Sequence, residues 1–194
     1  MHNERFAKGR GENMEKYDIY DINRIKTGRV NVRGSGIKLK EGEYRMVVHL
    51  CIINSKGEML IQQRQADKAG WPNLWDVSVG GCSIAGENSR DAVTRELSEE
   101  LGLKFDFENL RPKFTINFER GFDDWYVINM DVDLANLKLQ EEEVQDARFA
   151  SREEIYRLID ESQFIHYHKS VIDMCFDMVG LEYGAFNSND GKKI

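Results

Sequence analysis

Cysteine is scarce in this chain of 194 residues, which has only Cys51, Cys82 and Cys175. An odd number without framework spacing excludes a disulfide scaffold and fits a reducing, cytoplasmic setting. No CxxC pair suggests a zinc site. No apolar run approaches the roughly 18 residues of a membrane span, so membrane contact is not expected. The opening MHNERFAKGRGEN lacks the apolar centre of a signal peptide. Residues 1–15 read as a disordered lead-in, with Met14 as a candidate natural start. Repeats and low-complexity segments are missing too. So is a basic surplus: 27 Lys and Arg face 34 Asp and Glu, a formal net charge of −7. An acidic chain gains little from counterion release, which argues against duplex nucleic acid as a partner. A small phosphorylated molecule stays open, because a divalent cation can screen the acids locally.

Hydrophobic residues make up 41% of the chain, enough for a core, and the length suits one domain. That domain is expected over residues 16–183, with residues 184–194 a polar tail. Tyr17 to Val32 reads as a β-hairpin, either a structural flap or a contact for substrate or for a second copy in a homodimer. Gly34 to Gly42 reads as a loop. Arg45–Ile53 (RMVVHLCII) is a buried strand, and Glu58–Arg64 returns from it after a turn. His49, inside an apolar run, reads as a satisfied core histidine. Trp75–Gly80 predicts one short strand. Arg111–Glu119 and Asp124–Val132 predict an antiparallel pair turned at Gly121-Phe122. Leu137–Gln145 is acidic loop and Asp146–Ala150 a short strand. Ser151, with Glu154 at the box position, caps a helix running to about Glu161. Phe164–Val179 predicts a last helix. Strands flanked by helices suggest a mixed sheet between helical layers, an α/β fold.

The most informative stretch is Gly81–Leu103, GCSIAGENSRDAVTRELSEELGL. Asn88 is a good N-cap and Asp91 can complete a capping box. Gly102 ends the helix in a conformation that costs glycine little. Glu96, Glu99 and Glu100 then project within an arc of about 100°. Val93, Leu97 and Leu101 form an adjacent apolar stripe. Clustered carboxylates repel one another unless a cation joins them, and Mg2+ or Mn2+ takes such oxygen ligands. Glu87 can close over the same place, and Arg95 can pair with one of the acids. RELSEEL by itself is an ordinary solvated acidic face.

It does not stand by itself. Gly81, Glu87 and the run Arg95-Glu96-Leu97-Ser98-Glu99-Glu100-Leu101-Gly102-Leu103 match G-x5-E-x7-R-E-U-x-E-E-x-G-U, U being aliphatic, at all nine specified positions. This is the Nudix box, and the chain resembles the Nudix hydrolase superfamily from about Tyr17 to about Gly180. The resemblance implies an α/β/α sandwich with a mixed sheet. It implies metal-dependent hydrolysis of a small diphosphate substrate, a nucleoside diphosphate linked to another group. Glu99 and Glu100 would hold Mg2+ (or Mn2+), Glu96 would share the ion or help deprotonate water, and Glu87 would be an outer ligand. A base can also lie outside the box, with Glu142 and Glu143 as candidates beside their reading as solvated loop acids.

Arg64 and Lys68 are a second constellation, the only basic residues expected near the box apart from Arg90 and Arg95. A bidentate Arg and a point-charge Lys suit a diphosphate. Their segment, QQRQADKAGWPNLWDVSVGG, resembles that of isopentenyl diphosphate isomerases, whose matching Arg and Lys contact the diphosphate. The isomerase pattern S-V-C-G-H departs here to Ser78-Val79-Gly80-Gly81-Cys82, so Gly80 stands at the cysteine position and Cys82 at the histidine position. The isomerase's later paired glutamates have no clear match in Gly121-Phe122-Asp123-Asp124-Trp125. These departures favour a hydrolase and make Cys82 a small, partly buried residue. A sensing module that binds a nucleotide without cutting it is a third reading, though such modules commonly have eroded boxes.

Overall fold

Arg45–Ile53 forms the strand on which the sheet is built, β3 in a computed structural model that describes residues 15–181. Its near-continuous apolar run is explained by cover on both faces. Val48, Leu50 and Ile52 pack with Val93, Leu97 and Leu101 of helix α1 (Ser89–Leu101). Cys51 and Ile53 point the other way, towards α2 (Arg152–Asp160) and α3 (Lys169–Asp177), represented there by Ile155, Leu158 and Ile172. Strand alternation thus divides one sequence between two cores.

Ahead of β3, β1 (Lys16–Tyr20) and β2 (Lys26–Val32) make the expected hairpin, a separate sheet tied on by the Tyr20–Tyr44 bridge. The main sheet continues with β4 (Met59–Arg64), β5 (Trp75–Asp76), β6 (Val79–Cys82), β7 (Phe114–Phe118), β8 (Gly121–Asn129) and β9 (Val144–Ala150). Its order is β5-β4-β3-β8-β7, with β6 also on β3 and β9 on β4. β3 and β8 run parallel from Arg45↔Gly121 to Ile53↔Asn129, and the other pairs are antiparallel. The mixed sheet between helical layers is as expected.

The details differ in five places. The single strand expected at Trp75–Gly80 is two strands, because β3 and β4 meet only at Ile53↔Met59 and then fork. β5 pairs with β4, β6 crosses to β3, and buried Ser78 joins the fork by donating to Leu60 O at 2.5 Å and accepting from Ile52 N at 2.8 Å. The β7–β8 turn is at Glu119-Arg120, not Gly121-Phe122, because Gly121 already belongs to the ladder with Arg45. β9 starts at Val144, earlier than Asp146. The last helix starts at Lys169 and ends at Asp177; Gln163–Ile165 instead bonds along β5, with Trp75 N to Gln163 O and Ile165 N to Trp75 O both at 2.8 Å. Ser151 caps α2 as expected, but Glu154 reaches Arg148 instead of closing the box. Residues 1–14 of the expected lead-in (1–15) and the tail at 184–194 lie outside the described residues.

Candidate active site

Helix α1 begins where Asn88 accepts from Arg90 N and Asp91 N while Asp91 accepts from Asn88 N, a closed capping box. It ends at Gly102, whose φ of +66° is left-handed. This frame orients the acids. Glu96 and Glu100 lie on the buried side, 9% and 4% exposed, whereas the Glu99 side chain is 48% exposed. Burying Glu96 requires Gly81: a β-carbon there would stand 1.9 Å from Glu96 Oε1.

Arg95 is the hub of the cluster. It reaches Glu87 Oε1 at 2.8 Å, Glu96 Oε1 at 2.9 Å, Glu99 Oε2 at 2.9 Å and the Cys82 carbonyl at 3.1 Å. Glu87 also accepts from Ile84 N at 2.9 Å, which holds the loop closed over the helix. Glu100 stands apart from Arg95 and accepts from Gln62 Nε2 at 2.9 Å and Gly80 N at 3.4 Å. Three carboxylates therefore share one guanidinium, and the fourth, Glu100, has only neutral donors. Burial pushes the Glu96 carboxyl up to about 7, opposed by Arg95 and reinforced by Glu99. Burial, with Glu96 adding to it, raises Glu100 well above the carboxylate range. The acids converge on Arg95, and among the described residues no three His, Cys, Asp or Glu side chains form a ready-made metal cage.

On the other side of β6 lies a cleft of about 450 Å³. The change of side follows strand alternation: Gly81 faces Glu96, while a β-carbon on Gly80 would stand 2.9 Å from the His49 ring. Arg33, Arg45 and Arg64 line the cleft, together with Cys82, Trp71 and His166. Arg64 is positioned by a bond from Nε to Gly70 O at 3.1 Å and by Asp76 at 3.6 Å. Lys68 is not in the lining; it pairs with Glu143, one of the candidate outside bases. Glu142 is exposed in the turn before β9. The Cys82 thiol donates to Met46 O at 3.3 Å, and burial raises its pKa.

Two sequence readings are corrected here. Arg64 and Lys68 are not the only further basic residues near the box, since Arg33 and Arg45 line the same cleft as Gly81 and Cys82. His49 is not a plain core histidine: it lines that cleft, bonded to Asp123 and Tyr167. No spacing rule could have paired it with Tyr167, because 118 positions separate them.

The comparisons agree with this architecture. The NUDIX domain model matches residues 43–170. An uncharacterised Nudix hydrolase of Listeria monocytogenes is 49% identical over 154 residues, 79% of this chain and 90% of that one. The isopentenyl-diphosphate Delta-isomerase of Shigella flexneri is 30% identical over 117 residues, 56% of this chain and 63% of that one. A crystal structure from Deinococcus radiodurans shares the fold with a TM-score of 0.69 at 23% identity, covering 83% of this chain and 99% of that one. An α/β sheet carrying a complete box helix defines a Nudix domain. The chain belongs to the Nudix family, and its relatives include Nudix hydrolases.

Proposed function

We propose that the chain is a divalent-cation-dependent hydrolase of the cytoplasm that cleaves a diphosphate linkage in a nucleoside diphosphate derivative. The observation that carries this reading is the charge imbalance of the cluster, where Glu87, Glu96 and Glu99 share the Arg95 guanidinium, Glu100 has only the neutral donors Gln62 and Gly80, and two of the acids are buried. Buried carboxylates without compensation are costly, and an oxygen-preferring cation such as Mg2+ or Mn2+ removes that cost. Gln62, beside Glu100, also keeps its amide oxygen buried without a hydrogen-bond partner. The donor set therefore fits a hard cation. Glu96, Glu99 and Glu100 would hold it, with Glu87 as an outer ligand. When bound, the ion supplies positive charge to the phosphoryl oxygens.

The chain's own residues do the rest. Arg95 orients Glu87 and Glu99, and Arg33, Arg45 and Arg64 offer forks to phosphate oxygens. The proton from the attacking water goes to the carboxylate set, whose coupled members titrate together.

An isomerase is the second reading, favoured by the Shigella relative and by a cysteine in the cleft. Gly80 at the isomerase's cysteine position weighs against it. The deciding experiment is a panel of nucleotide sugars, ADP-ribose, dinucleoside polyphosphates, NADH, coenzyme A and deoxynucleotides, assayed for phosphate products with Mg2+ and with Mn2+. Cation-dependent cleavage that persists within a few-fold in Cys82→Ala is expected. Rearrangement of isopentenyl diphosphate that Cys82→Ala abolishes would establish the isomerase instead. Binding without turnover would mean a sensing module.

A further inference from the structure

Asp123, His49, Tyr167 and Asp76 form one hydrogen-bonded line beneath the cleft. His49 Nδ1 lies 2.7 Å from Asp123 Oδ1, and His49 Nε2 lies 3.1 Å from Tyr167 Oη. Tyr167 Oη in turn donates to Asp76 Oδ1 at 3.0 Å.

Counting protons along this line gives the charge of the ring. Every polar neighbour of Asp76 is a donor: Val77 N at 2.8 Å, the Tyr167 hydroxyl and Arg64 Nη1 at 3.6 Å. Asp76 is therefore the acceptor, and the single tyrosine proton points at it. Burial holds the Tyr167 hydroxyl well above its ordinary pKa, so that proton stays in place. The tyrosine oxygen can then only accept from His49 Nε2–H, and the Asp123 carboxylate accepts from Nδ1–H. A ring that donates from both nitrogens is an imidazolium. Trp125 stacks on it at 4.4 Å and 19°, presenting a π face that favours a cation.

We infer that His49 is a fixed cation of the cleft, which offsets one of the two negative charges of buried Asp76 and half-buried Asp123 and so frees the cleft's arginines to bind an anionic, diphosphate-bearing ligand. The ligand half rests on the cleft being the diphosphate site. With a neutral ring, the charges of Asp76 and Asp123 would be offset by the cleft's arginines alone, leaving less positive charge for a phosphate. The groups around His49 are Asp123 on β8, Asp76 on β5, Arg64 on β4, Cys82 on β6, Tyr167 and His166 ahead of α3, Arg45 on its own strand and Arg33 after β2. Burial lowers the pKa of His49, but Asp123 and Asp76 together outweigh it and the net shift is upward.

The charge is read by nitrogen-resolved histidine NMR on the full chain, with the signal assigned by its loss in His49→Gln. Both ring nitrogens should be protonated at pH 7, with a midpoint above the ordinary value of about 6.5. Tyr167→Phe removes the acceptor at Nε2 and should lower that midpoint. Inorganic pyrophosphate, titrated by calorimetry without metal, reads the role. Wild-type affinity should fall as pH rises through the His49 midpoint, and His49→Gln should bind about tenfold more weakly at pH 7. The His49→Gln profile, recorded in parallel, carries pyrophosphate's own titration. A neutral ring at pH 7 overturns the charge assignment. An imidazolium with unchanged pyrophosphate affinity in His49→Gln overturns its role in binding. A wild-type chain that shows the imidazolium but binds no pyrophosphate overturns the assignment of the cleft as the diphosphate site, and the ligand half with it.

Discussion

Gly81 and Glu96 are so close that a methyl group on the glycine would sit 1.9 Å from the carboxylate oxygen. Glycine is required here for close approach, not for an unusual backbone angle. Gly81→Ala should displace Glu96 and lower turnover by about 10²-fold, the cost of misplacing a group by about 1 Å. Adding Glu96→Ala to Gly81→Ala should cost little more, because both act through one carboxylate. Gly80→Ala, whose methyl meets His49 at 2.9 Å, should raise KM more than it lowers kcat. Full activity in Gly81→Ala would remove Glu96 from the machinery.

The two buried acids make a stability prediction with a definite sign. The folded state holds the Glu96 proton up to about 7, whereas the free carboxyl loses it near 4.5. Without a divalent cation, stability should therefore fall as pH rises from about 4.5 to above 7, by up to about 3 kcal/mol for this group. Glu96→Gln should flatten that slope in urea titrations. Mg2+ should raise the Tm of the wild type at pH 8, and raise it less in Glu100→Gln. Turnover in Glu99→Gln and Glu100→Gln should fall by about 10²-fold or more, about 3 kcal/mol of barrier. Near wild-type rates in both would end the metal assignment.

Arg64 is braced by Gly70 O and Asp76, while Lys68 is engaged by Glu143 outside the cleft lining. A lysine cannot span the contacts of a guanidinium fork. Arg64→Lys should raise KM for a diphosphate substrate about tenfold, about 1.4 kcal/mol, with a smaller fall in kcat. Lys68→Ala should do less, and both losses should shrink at high ionic strength. Steady-state kinetics at low and high salt measure this; an unchanged KM in Arg64→Lys would return it to a surface role.

Asn88 satisfies two backbone donors at the start of α1 and anchors the helix that presents the acids. Asn88→Ala should cost about 1 kcal/mol. A thermal melt should register that as a drop of about 2–4 °C for a domain of this size. No change would mean that the loop, through Glu87 and Ile84, holds the helix end unaided.

The sequence by itself determined what short-range geometry controls. Helix α1, its two caps, its apolar stripe and the acid spacing all follow from about 3.6 residues per turn and from the few residues that stabilise helix ends. The twin cores were legible in the apolar run of β3. Tertiary structure decided the rest. Phe164 and Ile165 carry the apolar side chains of the expected helix, but the backbone of Gln163 and Ile165 bonds to Trp75, and a pairing so distant in sequence leaves no local trace. Periodicity placed Glu96, Glu99 and Glu100 on one arc, but only packing against Gly81 and Gln62 buried two of them and left Glu99 half exposed. The cleft was the least legible part. Arg33, Arg45, His49, Arg64 and Tyr167 come from four separate segments and meet only because β3 and β4 fork and β6 crosses the gap. Such a meeting depends on long-range chain closure, which residue spacing along the sequence does not encode.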